Sequence, residues 1–413
     1  MKKDIFYLAI IQILRFVVPL ITFPYLTKTL GVKSFGLLAY CSGIIAYFAL
    51  IVEYGFNKIA TAKIAKIKHD KELLSKYSWA VFTCQILLFF ICIILFILLT
   101  WIFNVDVQEK NIILILSLAV LGSVFTPSWF FLGMGKMKEQ VPIVLTGRLL
   151  TIPLIIIFVK NENDIEIAAF LQSSAFLVSA IISCIYIKIS KVINKITFDK
   201  KEIVEAYKES FYMFLTSFSS NLYMAAIPVI IGVVMGPVYV AYYKVADNIK
   251  SISLSLMSPI YNVIYTKFNT LLVSDDEKAN NLLRKGFFYS LLIAFFGASI
   301  IFLFSKLIIL IIANESFMPA DALLKIVPFI IVLSVFNQFF GVQTLVSIGL
   351  SKDFSKIICI AGVSSLVIIY PLINNYGVIG GSISALLSEL MVGLFLYMLH
   401  RKKKIYILIK NKE

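Results

Sequence analysis

The chain has 413 residues, 60% of them hydrophobic and only 15% charged. Soluble domains carry roughly 45–50% apolar and about 25% charged residues, so a water-soluble globule is excluded and the bilayer becomes the expected solvent. A spanning helix needs about 20 apolar residues, so this content suffices for roughly a dozen spans and leaves no room for a soluble catalytic domain. The formal net charge of +15 would suggest nucleic acid in a soluble protein, but in a membrane protein it must first be sorted by side.

The first apolar run, residues 5–26, follows Met-Lys-Lys-Asp and imitates a signal peptide. It is too long for one, carries Arg15, Pro19 and Pro24, and ends without a small-x-small cleavage site, so it reads as an uncleaved first span. Runs at 35–56, 77–103, 111–132, 141–159 and 165–187 bring the first half to six. A charged connector from Lys188 precedes six more, at 211–234, 238–265, 286–313, 326–348, 354–373 and 376–399. The expected domains are an N-terminal six-helix bundle over 1–195, a cytoplasmic connector over 196–210, and a C-terminal six-helix bundle with a basic tail over 211–413. Stretches such as Ile-Leu-Leu-Phe-Phe-Ile-Cys, residues 86–92, do not alternate as barrel strands do, so the fold class is an all-α integral membrane protein with twelve spans.

Twelve spans put both termini on one side. If that side is the cytoplasm, 28 of the 38 Lys and Arg lie inside, five outside (Lys28, Lys33, Lys110, Lys160, Lys325) and five within spans. No loop reverses the positive-inside bias, and this sorting excludes a nucleic-acid role for the charge. The outer connections are short and offer no platform for a folded domain. All five cysteines (Cys41, Cys84, Cys92, Cys184, Cys359) fall in apolar runs without a CxxC pair, which points to packing. His69 and His400 fall in basic, polar surroundings at span ends, so no metal centre is expected.

Laying the second half over the first at an offset of about 205 residues brings Leu30-Gly31-Val32 onto Met235-Gly236-Pro237, each between the first and second spans of its half. With six spans per half such a repeat keeps topology, and the halves would be related by a pseudo-two-fold along the membrane normal, as in many transporters.

Charge inside a span costs about 2.5–3.5 kcal/mol on insertion scales, so each such residue is a candidate. Arg15 sits mid-span, where it serves either a cavity or portal, or the helix itself. Lys244, Asp247 and Lys250 recur every three residues on one broad helical face. That face is either a self-neutralising ladder between helices or an aqueous path receiving an anion. Glu389 has no opposite charge within a turn, and is either a partner for a cation on another span or a protonatable coupling site. Lys306 is close to the outer end of the ninth span, where snorkelling suffices, Arg148 is about two turns into the fifth, where snorkelling is plausible, and Glu53 is expected to cap or pair at the inner end of the second span. Asn221, Asn337, Gln338 and Gln343 could hydrogen-bond a sugar along a path or hold helices together. No nucleotide loop, acidic outer pair or His-Glu-His arrangement supports an enzyme.

Four stretches resemble one family. They are Pro24 to Lys66, with its Tyr-Gly-Phe-Asn and Ala-Thr-x-x-Ile-Ala elements, Ser128 to Lys138 (Trp-Phe-Phe-x-Gly-x-x-x-Met), Val238 to Phe268, and Tyr376 to Leu390. In these the chain is similar to the bacterial O-antigen and polysaccharide flippases (Wzx-like) of the multidrug/oligosaccharidyl-lipid/polysaccharide (MOP) exporter superfamily. It departs from them at Lys28, where Arg is frequent, and near Thr266, where a proline is frequent.

The resemblance implies a MOP/MATE-like architecture and a role in lipopolysaccharide and polysaccharide biosynthesis at the bacterial inner membrane, with cytoplasmic termini. The activity it implies is movement of undecaprenyl-diphosphate-linked repeat units from the cytoplasmic to the periplasmic leaflet by alternating access. In relatives that flip cell-wall precursors, cavity cations hold the diphosphate while the lipid tail leaves between spans one and eight. Arg15, Lys244 and Lys250 lie on those two spans and become the expected head-group cations, with Asp247 and Glu389 as charge-balancing or coupling carboxylates. No cofactor is implied beyond a coupling ion, H+ or Na+. The implied partners are the lipid-linked oligosaccharide, the bilayer, and a polysaccharide polymerase with its chain-length regulator. Two rival readings remain: an O-antigen polymerase or ligase, which would need a sizeable outer loop, and a multidrug exporter of the same superfamily, which would need acidic residues to dominate its spans. Within the spans five cations face three anions, Glu53, Asp247 and Glu389.

Overall fold

Without water in the hydrocarbon region, backbone N–H and C=O groups must bond within their own helix. The computed structural model describes residues 2–190 and 198–405, with the side chains of 2–19, 216, 219–224 and 273 outside the description, and the described residues contain no strand. In chain order the α-helices are α1 (Lys2–Glu53), α2 (Phe56–Ile67), α3 (Lys71–Ile102), α4 (Val107–Val124), α5 (Ser128–Gly133), α6 (Met137–Phe158), α7 (Ile165–Ile189) and α8 (Lys200–Met235). They continue with α9 (Pro237–Ser274), α10 (Asp276–Leu303), α11 (Ser305–Ile312), α12 (Asp321–Leu324), α13 (Val327–Asn337), α14 (Ser351–Tyr376) and α15 (Val378–Lys402). A π-helical stretch, Gln338–Val346, continues α13. Among the described residues, nine helical stretches are long and apolar enough to cross a membrane.

Each apolar run read from the sequence is helical over nearly all of its described length. The first two runs are one helix interrupted at Gly31, whose backbone is non-helical (φ 66°, ψ −179°). On α3, Phe90, Ile94, Leu98 and Trp101 form one exposed stripe while Phe89, Cys92 and Phe96 are buried. In water such a stripe would be an aggregation site, whereas in a bilayer it is the lipid-facing side. Asp70 caps α3 by accepting from the backbone N–H of Glu72 and Leu73, both at 3.0 Å.

Two compact units divide the chain, Met1–Phe218 and Ser219–Glu413. In the first, α6 and α7 pack closely because Gly147 faces Ala175 and Ser179, leaving no space for a Cβ. The same unit holds the start of α8. Lys63 on α2 pairs with Glu209 (3.2 Å), Glu205 (3.4 Å) and Glu202 (3.9 Å), and its ammonium lies over the Tyr77 ring, 4.6 Å from the centroid. The Tyr207 hydroxyl donates to the carbonyl of Cys84 at 2.9 Å.

The second unit has a core built on Phe340, Leu345, Val392 and Leu396. His400 corrects an expectation here. Instead of polar surroundings it has a buried ring, 4.9 Å from that of Phe340, with Nδ1 at 2.9 Å from the Leu396 carbonyl. The helical turn bearing His400 faces the core, while the basic residues after it face outward. His69 is exposed, as its basic loop predicts. Cys41, Cys84 and Cys92 are buried, Cys359 is half-buried and Cys184 is exposed, all as free thiols.

Candidate functional site

The second unit brings together most of the charged residues singled out from the sequence. Along α9 the three-residue spacing stacks Lys244, Asp247 and Lys250. The Asp247 carboxylate bridges both lysines, 2.7 Å from Lys250 Nζ through Oδ1 and 3.0 Å from Lys244 Nζ through Oδ2. Lys250 is 8% exposed, and Lys244 is the most open of the three. Buried charges persist only when paired in this way.

On α15, Glu389 accepts from Asn337 Nδ2 through its carboxylate, and the same amide donates to the Glu389 backbone carbonyl at 2.9 Å. Glu389 also lies within electrostatic reach of Lys250, so the cation missing from its own helix is supplied by α9. Two lysines and two carboxylates balance one another within this set.

The polar residues divide. Asn337 belongs to the Glu389 pair. Gln343, fully buried, donates from Nε2 to the Tyr261 carbonyl at 2.9 Å and ties the π-helical stretch to α9. Gln338 is half-buried on the same stretch. The side chains of Arg15 and Asn221 lie outside the described residues. Among the described residues, no group of three or more His, Cys, Asp or Glu is placed to hold a metal ion.

A second polar site lies wholly within the first unit: a cavity of about 240 Å3 whose lining includes Glu53, Gln85, Ser128, Trp129, Gln140 and Arg148. The chain opens it by breaking between α4 and α5 at Pro127, a residue without an N–H to continue a helix. Arg148 lies over the Phe176 ring, 5.9 Å from its centroid. Arg148, about two turns into the fifth run, and Glu53, at the inner end of the second, both line this cavity, together with Gln85 and Gln140, which the sequence does not single out. Gln85 stands alone in an apolar run, and that isolation was the available signal, whereas Gln140 follows Lys138 and Glu139 at the edge of its run and carries no such mark. Trp129 belongs to the Trp-Phe-Phe stretch already noted.

These features define a polytopic, all-helical membrane transporter. Its fold matches that of MOP-superfamily proteins. A structure titled as the inward-facing conformation of a multidrug resistance MATE family transporter superposes with a TM-score of 0.69 at 16% identity, covering 94% of this chain and 99% of the other. The lipid II flippase MurJ, in an inward closed conformation, gives 0.66 at 15% identity over 99% of this chain and 90% of that one. Residues 1–265 match the family described as polysaccharide biosynthesis protein. A protein of Escherichia coli (strain K12) named "Putative O-antigen transporter" is 32% identical over 412 residues, 98% of each chain. The chain belongs to this polysaccharide biosynthesis family, as the motifs implied.

Proposed function

We propose that this protein is a flippase for undecaprenyl-diphosphate-linked O-antigen or polysaccharide repeat units. It would work in the bacterial inner membrane with both termini cytoplasmic, move its substrate from the cytoplasmic to the periplasmic leaflet by alternating access, and catalyse no covalent step. The observation that supports this best is the full-length similarity to a relative named as an O-antigen transporter. The two lysines on α9, Lys250 buried and Lys244 about a third exposed, agree with it. A diphosphate must lose hydration to enter the membrane, and an ammonium in a low-dielectric site replaces that hydration. Lys244 and Lys250 would receive the diphosphate together with Arg15, and Asp247 would hold the lysines apart and nearly neutral while the site is empty. Of the two carboxylates, Asp247 is locked between two cations, which leaves Glu389 as the better candidate for H+ or Na+ coupling. Delivery of the flipped unit to a polymerase and its chain-length regulator would follow.

Purified protein in vesicles carrying a fluorescent undecaprenyl-diphosphate oligosaccharide tests the reading. Protein-dependent leaflet exchange is expected, and exchange no faster than in protein-free vesicles removes it. If Arg15→Ala and Lys250→Ala each complement a flippase-null strain as fully as wild type at low expression, the head-group site is wrong. Exchange indifferent to both proton and sodium gradients removes the coupling.

A further inference from the structure

Three residues that line the cavity of the first unit carry buried polar atoms without a hydrogen-bond partner. Gln85 is 6% exposed and Gln140 1%, and the side-chain carbonyl oxygen of each is buried without a hydrogen-bond partner. The Trp129 ring is 2% exposed, and its Nε1–H is likewise unpartnered. The Gln85 amide is fixed in sense, because its Nε2 donates to the Val52 carbonyl at 3.5 Å and a carbonyl can only accept. Gln140 Nε2 is held by the Ser128 hydroxyl at 2.7 Å. The cavity's lining thus includes one fixed acceptor (Gln85), one amide whose sense the Ser128 hydroxyl leaves free to turn (Gln140) and one indole donor, flanked by the ionisable Glu53 and Arg148. Three such atoms on residues lining one cavity suit a polar occupant that pairs with them.

The occupant's chemistry follows from that inventory. Acceptors and a donor converging from neutral planar side chains suit hydroxyl groups, which both donate and accept. They suit a diphosphate less well, because it only accepts and would face the Gln85 amide oxygen. The volume of about 240 Å3 corresponds to roughly eight waters at about 30 Å3 each and lies below the roughly 300–1,000 Å3 of drug-sized sites. It holds one polyhydroxylated ring and excludes a whole oligosaccharide. Glu53 ends α1, Ser128 opens α5 and Gln140 lies in the first turn of α6, all at the end of the bundle that the charge distribution puts in the cytoplasm, where substrate is loaded.

We propose that this cavity is a recognition subsite for one sugar ring of the transported glycan, with Gln85, Gln140 and Trp129 reading its hydroxyls. The assignment rests on the flippase reading and adds to it where the glycan, as distinct from the diphosphate, is selected.

The test uses full-length protein whose only tryptophan is Trp129 (Trp79→Phe, Trp101→Phe), titrated with free D-glucose, D-galactose, L-rhamnose and N-acetyl-D-glucosamine while indole emission is followed. At least one sugar should shift the emission saturably in the millimolar range. Gln85→Leu and Gln140→Leu should each weaken that response roughly tenfold, the loss of one hydrogen bond of about 1.4 kcal/mol. Their melting temperatures should stay level or rise, because each removes an unsatisfied buried acceptor. If Gln140→Leu does not fold, Gln140→Asn, which withdraws the amide by one methylene, carries the same expected loss. No response to any sugar, or leucine variants that titrate like wild type, would overturn the proposal and leave a water-filled pocket. Lys250→Ala should keep the sugar response while losing leaflet exchange. Exchange without a sugar response defeats this subsite alone, and absence of exchange in the wild type defeats the flippase reading.

Discussion

Gly31 and Gly236, 205 residues apart in a chain of 413, share one unusual backbone conformation, with φ 66° and ψ −179° at the first and φ 95° and ψ 170° at the second. Each joins the first two apolar runs of its half. Positive φ with extended ψ is essentially confined to glycine, so the turn needs this residue in both places. The pairing that suggested an internal repeat therefore extends from residue identity to backbone geometry.

Alanine at either position should destabilise the protein by about 1–3 kcal/mol through backbone strain. Gly31→Ala should cost slightly more, because its Cβ would stand 2.8 Å from Glu162 Oε1, the movable end of an exposed side chain, whereas nothing lies within 4 Å of a Cβ at Gly236. Thermal unfolding in detergent checks the order. Adding Glu162→Ala to Gly31→Ala should recover the difference between the two single variants and leave the backbone term.

The lysine–aspartate ladder makes a prediction about asymmetry. Asp247→Asn removes the one anion that two cations share, and breaking a buried pair from one side typically costs about 3–5 kcal/mol. Lys244→Met should cost much less, since Lys244 is about a third exposed and Asp247 keeps Lys250. Melting temperatures of the two variants, compared with that of Asp247→Asn/Lys250→Met, check this. The double variant should be more stable than Asp247→Asn alone.

How much of this was legible beforehand depends on the range of the signal. Helix positions followed from runs of apolar residues, a local property, and the ladder followed from a spacing of three within one helix. The partner of Glu389 did not follow, because Asn337 donates to it from another helix and no periodicity along α15 encodes that meeting. The cavity was hidden for the same reason. Its polar lining comes from α1 through α7, each contributing one or two residues that alone resemble helix glue. His400 was misplaced because composition averages over a helical turn, while burial depends on which side of that turn faces the core.

Close packing in the first unit rests on Gly147. A Cβ there would collide with the Ala175 carbonyl and the Ser179 hydroxyl, and Ser179 donates to the Ala175 and Ile143 carbonyls at 2.8 and 3.3 Å. Gly147→Ala should force α6 and α7 apart and destabilise the unit by about 1–3 kcal/mol, the usual range for overpacking. Because Arg148 is the next residue, the same shift should disturb the cavity. Sugar-dependent Trp129 emission measured on Gly147→Ala would report a weakened response.

Acid should loosen the turn between α11 and α12 by way of Asp321. Partial burial tends to raise the pKa of this carboxyl, but the Ser305 hydroxyl donating to it and the Lys325 ammonium at 2.9 Å outweigh burial and hold it below the ordinary carboxylate range. A carboxyl whose folded-state pKa is depressed stabilises the fold above its unfolded value, about 3.9, and loses that contribution as pH falls through the folded value. Asp321→Asn should therefore lower the melting temperature at pH 7, and the gap from wild type should close as the pH is taken well below about 3.9. Lys325→Met should reproduce part of the loss at neutral pH. Melting curves collected across that range decide the matter, and a gap between wild type and Asp321→Asn that stayed constant with pH would show that the carboxylate contributes through shape instead of charge.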